Sequence, residues 1–288
     1  MTPASADAFP VSSSGDQTCA SAASEPAPGS MIALANVVFR WPGADTFTLR
    51  IDQLEVARGA RVLLTGPSGT GKTTLLNLLS GISAPQQGQV VIDGTDLTAL
   101  SSSARDRFRA ERLGVIFQMF NLLPYGSARD NVVLGLSFAP ERRARVKAAS
   151  KQSAGAAPDM AEASRLLSAL GLADEHHRAS AASLSIGQQQ RVAAARALIG
   201  QPALIIADEP TSALDAANAG RFLDLLFEQA ALSGSTLVMV SHDTSLAPRF
   251  DTTLSLADVI AREGGAPFTA ASAAPSAAAP APAKETAP

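Results

Sequence analysis

The chain has 288 residues, 23 Lys and Arg against 26 Asp and Glu, a net charge of −3, and 46% hydrophobic residues. That is ample for a core, and it argues against a nucleic-acid binder, which needs clustered Lys and Arg to neutralise phosphates. The one cysteine, Cys19, excludes an intrachain disulfide and a Cys-rich zinc site, and no run reaches the roughly 18–20 apolar residues of a membrane-spanning helix, so any membrane partner is another chain.

Residues 1–30 are rich in Ala, Ser, Pro and Gly and poor in large aliphatics. They read as a disordered tail, without the basic start and apolar run of a secretory signal. The folded part is expected over 31–262, where strands and helices alternate. Arg61–Thr65 reads as a strand and Lys72–Ser80 as a helix stopped at Gly81. A turn at Pro85–Gly88 leads into a strand at Gln89–Asp93, and Leu113–Phe117 is another. Residues 139–159 carry Arg142, Arg143, Arg145, Lys147 and Lys151 before a Ser-Ala-Gly-Ala-Ala-Pro run. They read as a flexible basic loop, either solvated or touching lipid headgroups or a partner. Met160–Leu170 has an amphipathic helical pattern and Gln188–Ile199 an Ala-rich one. Leu204–Ala207 and Leu237–Val240 are fully apolar runs of strand length, as in a parallel sheet covered on both faces. Residues 263–288, dominated by Ala and Pro, read as a second disordered tail. The alternation makes the chain α/β.

Chemistry enters at Gly66-Pro67-Ser68-Gly69-Thr70-Gly71-Lys72-Thr73, which fits G-x-x-x-x-G-K-[ST] between a strand and a helix. Glycines let the backbone wrap a phosphate closely with its N–H groups pointing at the oxygens, and the helix N-terminus favours an anion. Lys72 is expected on the β and γ phosphates, the Thr73 hydroxyl on Mg²⁺, and Thr74 beside them on the nucleotide. The run Leu204 to Glu209 ends an apolar strand in two carboxylates. Asp208 would hold Mg²⁺ through water, and Glu209 would polarise the attacking water.

Three further pieces follow in order. Leu184-Ser185-Ile186-Gly187-Gln188 places its serine 23 positions before Asp208; Ser212-Ala213-Leu214-Asp215 continues the acidic strand end; His242 lies 33 positions after Glu209. With Gln118, these motifs stand in the order and at the spacings of the ATP-binding cassette (ABC) family, which the chain resembles over about 31–257. The resemblance implies a P-loop nucleoside triphosphate hydrolase core, a helical subdomain over about 120–185 and an N-terminal antiparallel β subdomain. It implies an ATPase that closes as a homodimer around two ATP, each held between one subunit's phosphate loop and the other's signature. Ser185, Gly187 and Gln188 are then expected at the nucleotide of the opposite site, with Asp215 shaping the interface near the phosphate. Trp41, 25 residues before Gly66, matches the aromatic that stacks on adenine; the alternative is a tryptophan packed in a small core. Gln118 matches the glutamine that touches Mg²⁺ and the attacking water and reports to the transmembrane partner. His242 matches the histidine that holds the γ-phosphate and orients Glu209. Glu209, His242 and Gln118 are thus the expected catalytic set. His176 and His177 match no family position and read as solvated.

The signature commonly carries glycine where this chain has Ile186. With Ser185, Gly187 and Gln188 kept, that isoleucine is expected to pack into the helical subdomain. After Gln118, Met119–Pro124 and then Ala128–Val132 look like the bacterial lipoprotein-release, macrolide-export and cell-division branch. The implied partner is an integral-membrane permease supplied by another chain, and the implied location is the cytoplasmic face of the bacterial inner membrane. Phe120–Pro124 would border the groove for the permease's coupling helix. A regulatory ATPase that signals through a permease-like partner without moving cargo stays open, because the cycle is the same. No nucleic-acid partner is expected: the chain carries no inserted coiled coil, no zinc module and no second cassette, and its balance is acidic.

Overall fold

The computed structural model describes residues 29–42, 48–67, 69–150 and 157–260. The tail expected over 263–288 lies outside them. So do residues 1–28 of the tail expected over 1–30, whose last residue, Ser30, already opens the first strand.

Two sheets organise the chain. The first is antiparallel, in the order β2-β1-β4-β5, from β1 (Ser30–Arg40), β2 (Thr48–Ala57), β4 (Gln87–Ile92) and β5 (Thr95–Asp96). Leu49 and Ile51, and after a one-residue shift of phase Leu54 and Val56, are the buried positions of β2, an alternation that keeps most of one face covered. The second sheet is parallel, in the order β6-β7-β8-β3-β9, from β3 (Arg61–Thr65), β6 (Leu113–Ile116), β7 (Leu204–Asp208), β8 (Thr236–Val240) and β9 (Thr252–Ser255). Its central strands are apolar throughout because both faces are covered. Leu63, Ile205, Ala207, Leu237 and Met239 join one core cluster, while Val62, Leu64, Ile206, Val238 and Val240 join the other, with the antiparallel sheet.

The helices are α1 (Lys72–Leu79), α2 (Ser102–Arg112), α3 (Ala128–Val133), α4 (Pro140–Ala149), α5 (Pro158–Ala169), α6 (Ile186–Leu198), α7 (Ala216–Leu232) and α8 (Leu256–Val259). α3, α5, α6 and α7 supply the first cluster, and α1 the second. A Cβ on Gly114 of β6 would lie 2.3 Å from the Ala197 carbonyl oxygen, so the end of α6 rests directly on that strand. None of the described helices is long and apolar enough to cross a membrane.

The stretch expected to be a flexible basic loop over 139–159 holds a helix instead. α4 begins with Pro140 in its first turn and buries Arg142 and Val146. The Arg142 guanidinium donates to the carbonyls of Ala197 at 2.8 Å, Ile199 at 2.9 Å and Leu113 at 3.0 Å. The Glu111 carboxylate accepts from the backbone N–H of Glu141 and Arg142, and so caps a helix that has no cap residue of its own. Here one cation meets the free carbonyls at the end of α6. Burial holds its pKa down to about 10. Residues 151–156 of that stretch lie outside the described residues.

His177 is buried, at 5% exposure, where solvation was expected. Its Nε2–H donates to the Leu172 carbonyl at 3.1 Å, which satisfies the ring inside the fold. His176 stays partly exposed.

Candidate functional site

Four neighbouring strands of the parallel sheet end at one edge. β3 runs into the loop at Gly66, β6 into Phe117 and Gln118, β7 into Asp208 and Glu209, and β8 into Ser241 and His242. The carboxyl edge of such a sheet is where this architecture binds ligands. A cavity of about 500 Å³ lies there, lined by Trp41, Gly69, Gly71, Lys72, Thr73, Thr74, Gln118, Asp208 and Glu209.

Each lining residue has a local reason for its place. Gly71 takes φ 101°, which a side chain would oppose, and so turns the loop into α1 with no side chain capping the helix. Lys72 folds back on the loop, its Nζ donating to the carbonyls of Gly66 at 2.6 Å and Pro67 at 2.9 Å. The Thr70 hydroxyl also donates to Pro67, at 2.8 Å. Ser68 lies outside the described residues. Trp41 is 39% exposed, packs edge-on against Phe39 with ring centres 5.0 Å apart, and donates its indole N–H to the Thr74 hydroxyl at 3.1 Å. It is therefore anchored at one edge and open on the cavity side, which is neither a buried core residue nor a free one.

The carboxylates sit close together at low exposure. Burial, and then the negative charge of Glu209, raise the pKa of Asp208 above that of an ordinary carboxylate, and Lys72 opposes the rise. Glu209 has φ 45°, a left-handed backbone that costs energy for a residue with a side chain, and its N–H donates to the Val240 carbonyl. Its Oε2 accepts from His242 Nδ1–H at 3.1 Å. Thr73, Gln118 and Asp208 bring hydroxyl, amide and carboxylate oxygens to one cavity, the donor types a hard cation takes. Among the described residues no cluster of three or more His, Cys, Asp and Glu could hold a metal ion alone. A Mg²⁺ ion here would need phosphate oxygens as further ligands, as it commonly does.

Ser185, Gly187, Gln188 and Asp215 do not line this cavity. Ser185 caps α6 in a reciprocal box: its hydroxyl accepts from the Gln188 N–H at 3.3 Å, and its own N–H donates to Gln188 Oε1 at 2.8 Å. Asp215 caps α7, accepting from the Asn218 N–H at 2.9 Å and from the Asn218 side-chain amide at 2.6 Å. Those bonds hold its pKa below the usual carboxylate value. A Cβ on Gly187 would touch Leu214 at 3.5 Å, so the two caps share one surface. Ile186 does not pack into the helical subdomain as expected. It is 58% exposed at the first position of α6, directly after the cap residue Ser185.

Two contacts carry no local sequence signal. One is the Trp41–Thr74 hydrogen bond. The other is Arg196, near the end of α6, whose guanidinium donates to the Asn121 carbonyl at 2.7 Å and to the Phe120 carbonyl. Both lie some 75 residues away in sequence.

Residues 49–212 match the family described as ABC transporter. The fold matches the dimeric ATP-binding cassette MJ0796 in a post-hydrolysis state bound to ADP and Pi, at 31% identity, covering 78% of this chain and 94% of that one, TM-score 0.65. It also matches cbiO1 from Clostridium perfringens, part of the ABC transporter complex cbiONQ, at 23% identity over 79% of this chain and 85% of that one, TM-score 0.65. At that lower identity the likeness is one of fold.

Proposed function

The chain belongs to the ABC transporter family and is an ATPase of that family; from that premise we propose that it is the ATP-hydrolysing subunit of a bacterial transporter, closing as a homodimer around two ATP and driving a separate permease of the lipoprotein-release, macrolide-export and cell-division type. The observation that carries the reading is the division of the motif residues. Lys72, Thr73, Gln118, Asp208 and Glu209 share one cavity, whereas Ser185 and Ile186 open an exposed helix end outside it. A second copy would bring its own helix end to that cavity and complete the site.

The chemistry follows from the donors. Trp41 offers a π face to adenine. Lys72 exchanges the loop carbonyls for phosphate oxygens, and the backbone N–H groups at the start of α1 face the same charge. Thr73, Gln118 and Asp208 would hold Mg²⁺, which when bound neutralises charge on the phosphates. Glu209 takes the proton of the attacking water. His242 holds the Glu209 carboxylate through Nδ1–H and leaves Nε2 for the terminal phosphate.

A groove of about 640 Å³ on another face supports the permease half of the reading. Phe117, Leu134 and Phe138 give it apolar walls, with Arg107, Arg109 and Arg196 beside them. Phe138, in the groove, is 80% exposed, and Met119, next to Gln118, is 81% exposed. A cytoplasmic helix of the permease would cover them.

The test uses Glu209→Gln with Mg·ATP. The variant should retain ATP, hydrolyse it at least about a hundredfold more slowly, and run as a dimer by light scattering. As bait in gently solubilised membranes it should recover a permease with few membrane helices and a large outer domain. Near-normal turnover overturns the role of Glu209. A partner with many more helices overturns the branch, and recovery of only ribosomal or nucleic-acid partners overturns the membrane role.

A further inference from the structure

The loop that follows Gln118 is held under strain. Phe120 has φ 58° and Asn121 φ 50°, two consecutive left-handed residues, neither of them glycine. That region is costly for a bulky residue such as phenylalanine, and a run of two is rarer than one. Within the loop, the Asn121 N–H donates to the Met119 carbonyl and the Phe120 N–H to the Phe117 carbonyl, so the turn closes back over Gln118. Phe120 is buried in the α6 core cluster, and Asn121 is exposed. Besides that packing, one side chain reaches the pair from another element. Arg196 donates to both strained carbonyls at once, with two nitrogens of its planar fork. The guanidinium is half-buried, and burial lowers its pKa.

We propose that Arg196 is a positioning residue for hydrolysis: it clamps the left-handed pair Phe120–Asn121 and thereby fixes the direction in which Gln118 enters the nucleotide cavity. This rests on the ATPase reading above. Arg196 does not line the cavity, and its side-chain hydrogen bonds go to Phe120 and Asn121. Its hydrogen-bonded route to the cavity runs through the loop. Removing the clamp leaves Trp41, Lys72 and Thr73 in place, so nucleotide binding is kept and the chemical step suffers. An arginine suits the clamp, since a lysine would offer one point charge to two carbonyls that face a fork.

The experiment is steady-state ATP hydrolysis by the purified full chain, with kcat and KM separated, for wild type, Glu209→Gln, Arg196→Gln, Asn121→Val and the double variant Arg196→Gln with Asn121→Gly. Arg196→Gln should lower kcat about tenfold or more, as small misplacements of a reacting group do, while KM for ATP stays within about threefold. Asn121→Val keeps the arginine but opposes the left-handed backbone, and should lower kcat in the same way. Glycine adopts that backbone unaided, so adding Asn121→Gly to Arg196→Gln should recover about half or more of the lost rate. Asn121 is exposed, so its variants report even where Arg196→Gln does not fold. Wild-type kcat in both Arg196→Gln and Asn121→Val overturns the clamp, and so does a KM that rises in step with the loss of kcat. If wild type hydrolyses and Glu209→Gln does not, those outcomes sink the clamp alone. A wild type no faster than Glu209→Gln sinks the ATPase reading beneath it.

Discussion

His242 Nδ1 lies 3.1 Å from Glu209 Oε2, and the two residues stand at the ends of adjacent parallel strands, β8 and β7. The histidine is 64% exposed at its side chain and the carboxylate 18%, so the ring reaches from solvent to a half-sheltered oxygen. His242→Ala leaves that oxygen without its protein donor. The variant should lose about tenfold to a thousandfold in kcat with nucleotide affinity little changed. A matching loss in ATP affinity would mean that the ring binds rather than orients.

Burial, and then the charge of neighbouring Glu209, raise the pKa of Asp208 above its ordinary 3.8. A raised folded-state pKa means that the native chain holds this proton more tightly than the unfolded one. The group's contribution to stability is therefore full below 3.8 and lost as pH climbs through the raised value. Asp208→Asn should raise the thermal midpoint of the nucleotide-free chain at neutral pH, and should cut Mg-dependent hydrolysis by about a hundredfold or more. On the acid side, Mg²⁺ dependence in the native chain should weaken at a higher pH than an ordinary carboxylate would give.

Arg142 satisfies carbonyls at the ends of α6 and β6 from inside the protein. Arg142→Met keeps most of the stem but leaves those buried oxygens without their donor. The expected cost is about 3–5 kcal/mol, readable as a lower denaturant midpoint.

Ile186 and Leu184 are near neighbours with opposite surroundings. Ile186→Gly removes an exposed side chain from the first turn of α6, so stability should fall by no more than about 1 kcal/mol, and hydrolysis should change less than about tenfold. Leu184→Ala empties a site that is 6% exposed and should cost about 2–4 kcal/mol. Equal thermal shifts would contradict the outward position of Ile186.

Trp41→Ala removes the ring but leaves the phosphate loop intact. KM for ATP should rise by about fivefold to a hundredfold, the range of a lost base stack. An unchanged KM would make Trp41 a packing residue.

The apolar strands, the phosphate loop and the paired carboxylates were legible because each is written in consecutive residues. Runs such as Leu204–Asp208 announce a strand buried on both faces without reference to the rest of the chain. α4 was not legible: its basic face suggested solvent, and only the distant carbonyls of Ala197 and Ile199 explain a buried arginine. His177 hid for the same reason, since its partner is a backbone oxygen that no side-chain pattern reveals. Ile186 misled in the other direction. The kept Ser185, Gly187 and Gln188 suggested packing, yet Ile186 is 58% exposed at the first position of α6. The left-handed backbone at Phe120 and Glu209 has no signal in residue types that usually avoid it, whereas Asn121 is a type that tolerates it.

Trp41 is the chain's one tryptophan. Its indole is tied to the start of α1 through Thr74, and its open side faces the cavity. Light absorbed selectively by indole is therefore absorbed at this cavity and nowhere else in the molecule. The protein carries a built-in optical probe whose emission can time the arrival and departure of a nucleotide in a stopped-flow cell, without any attached dye.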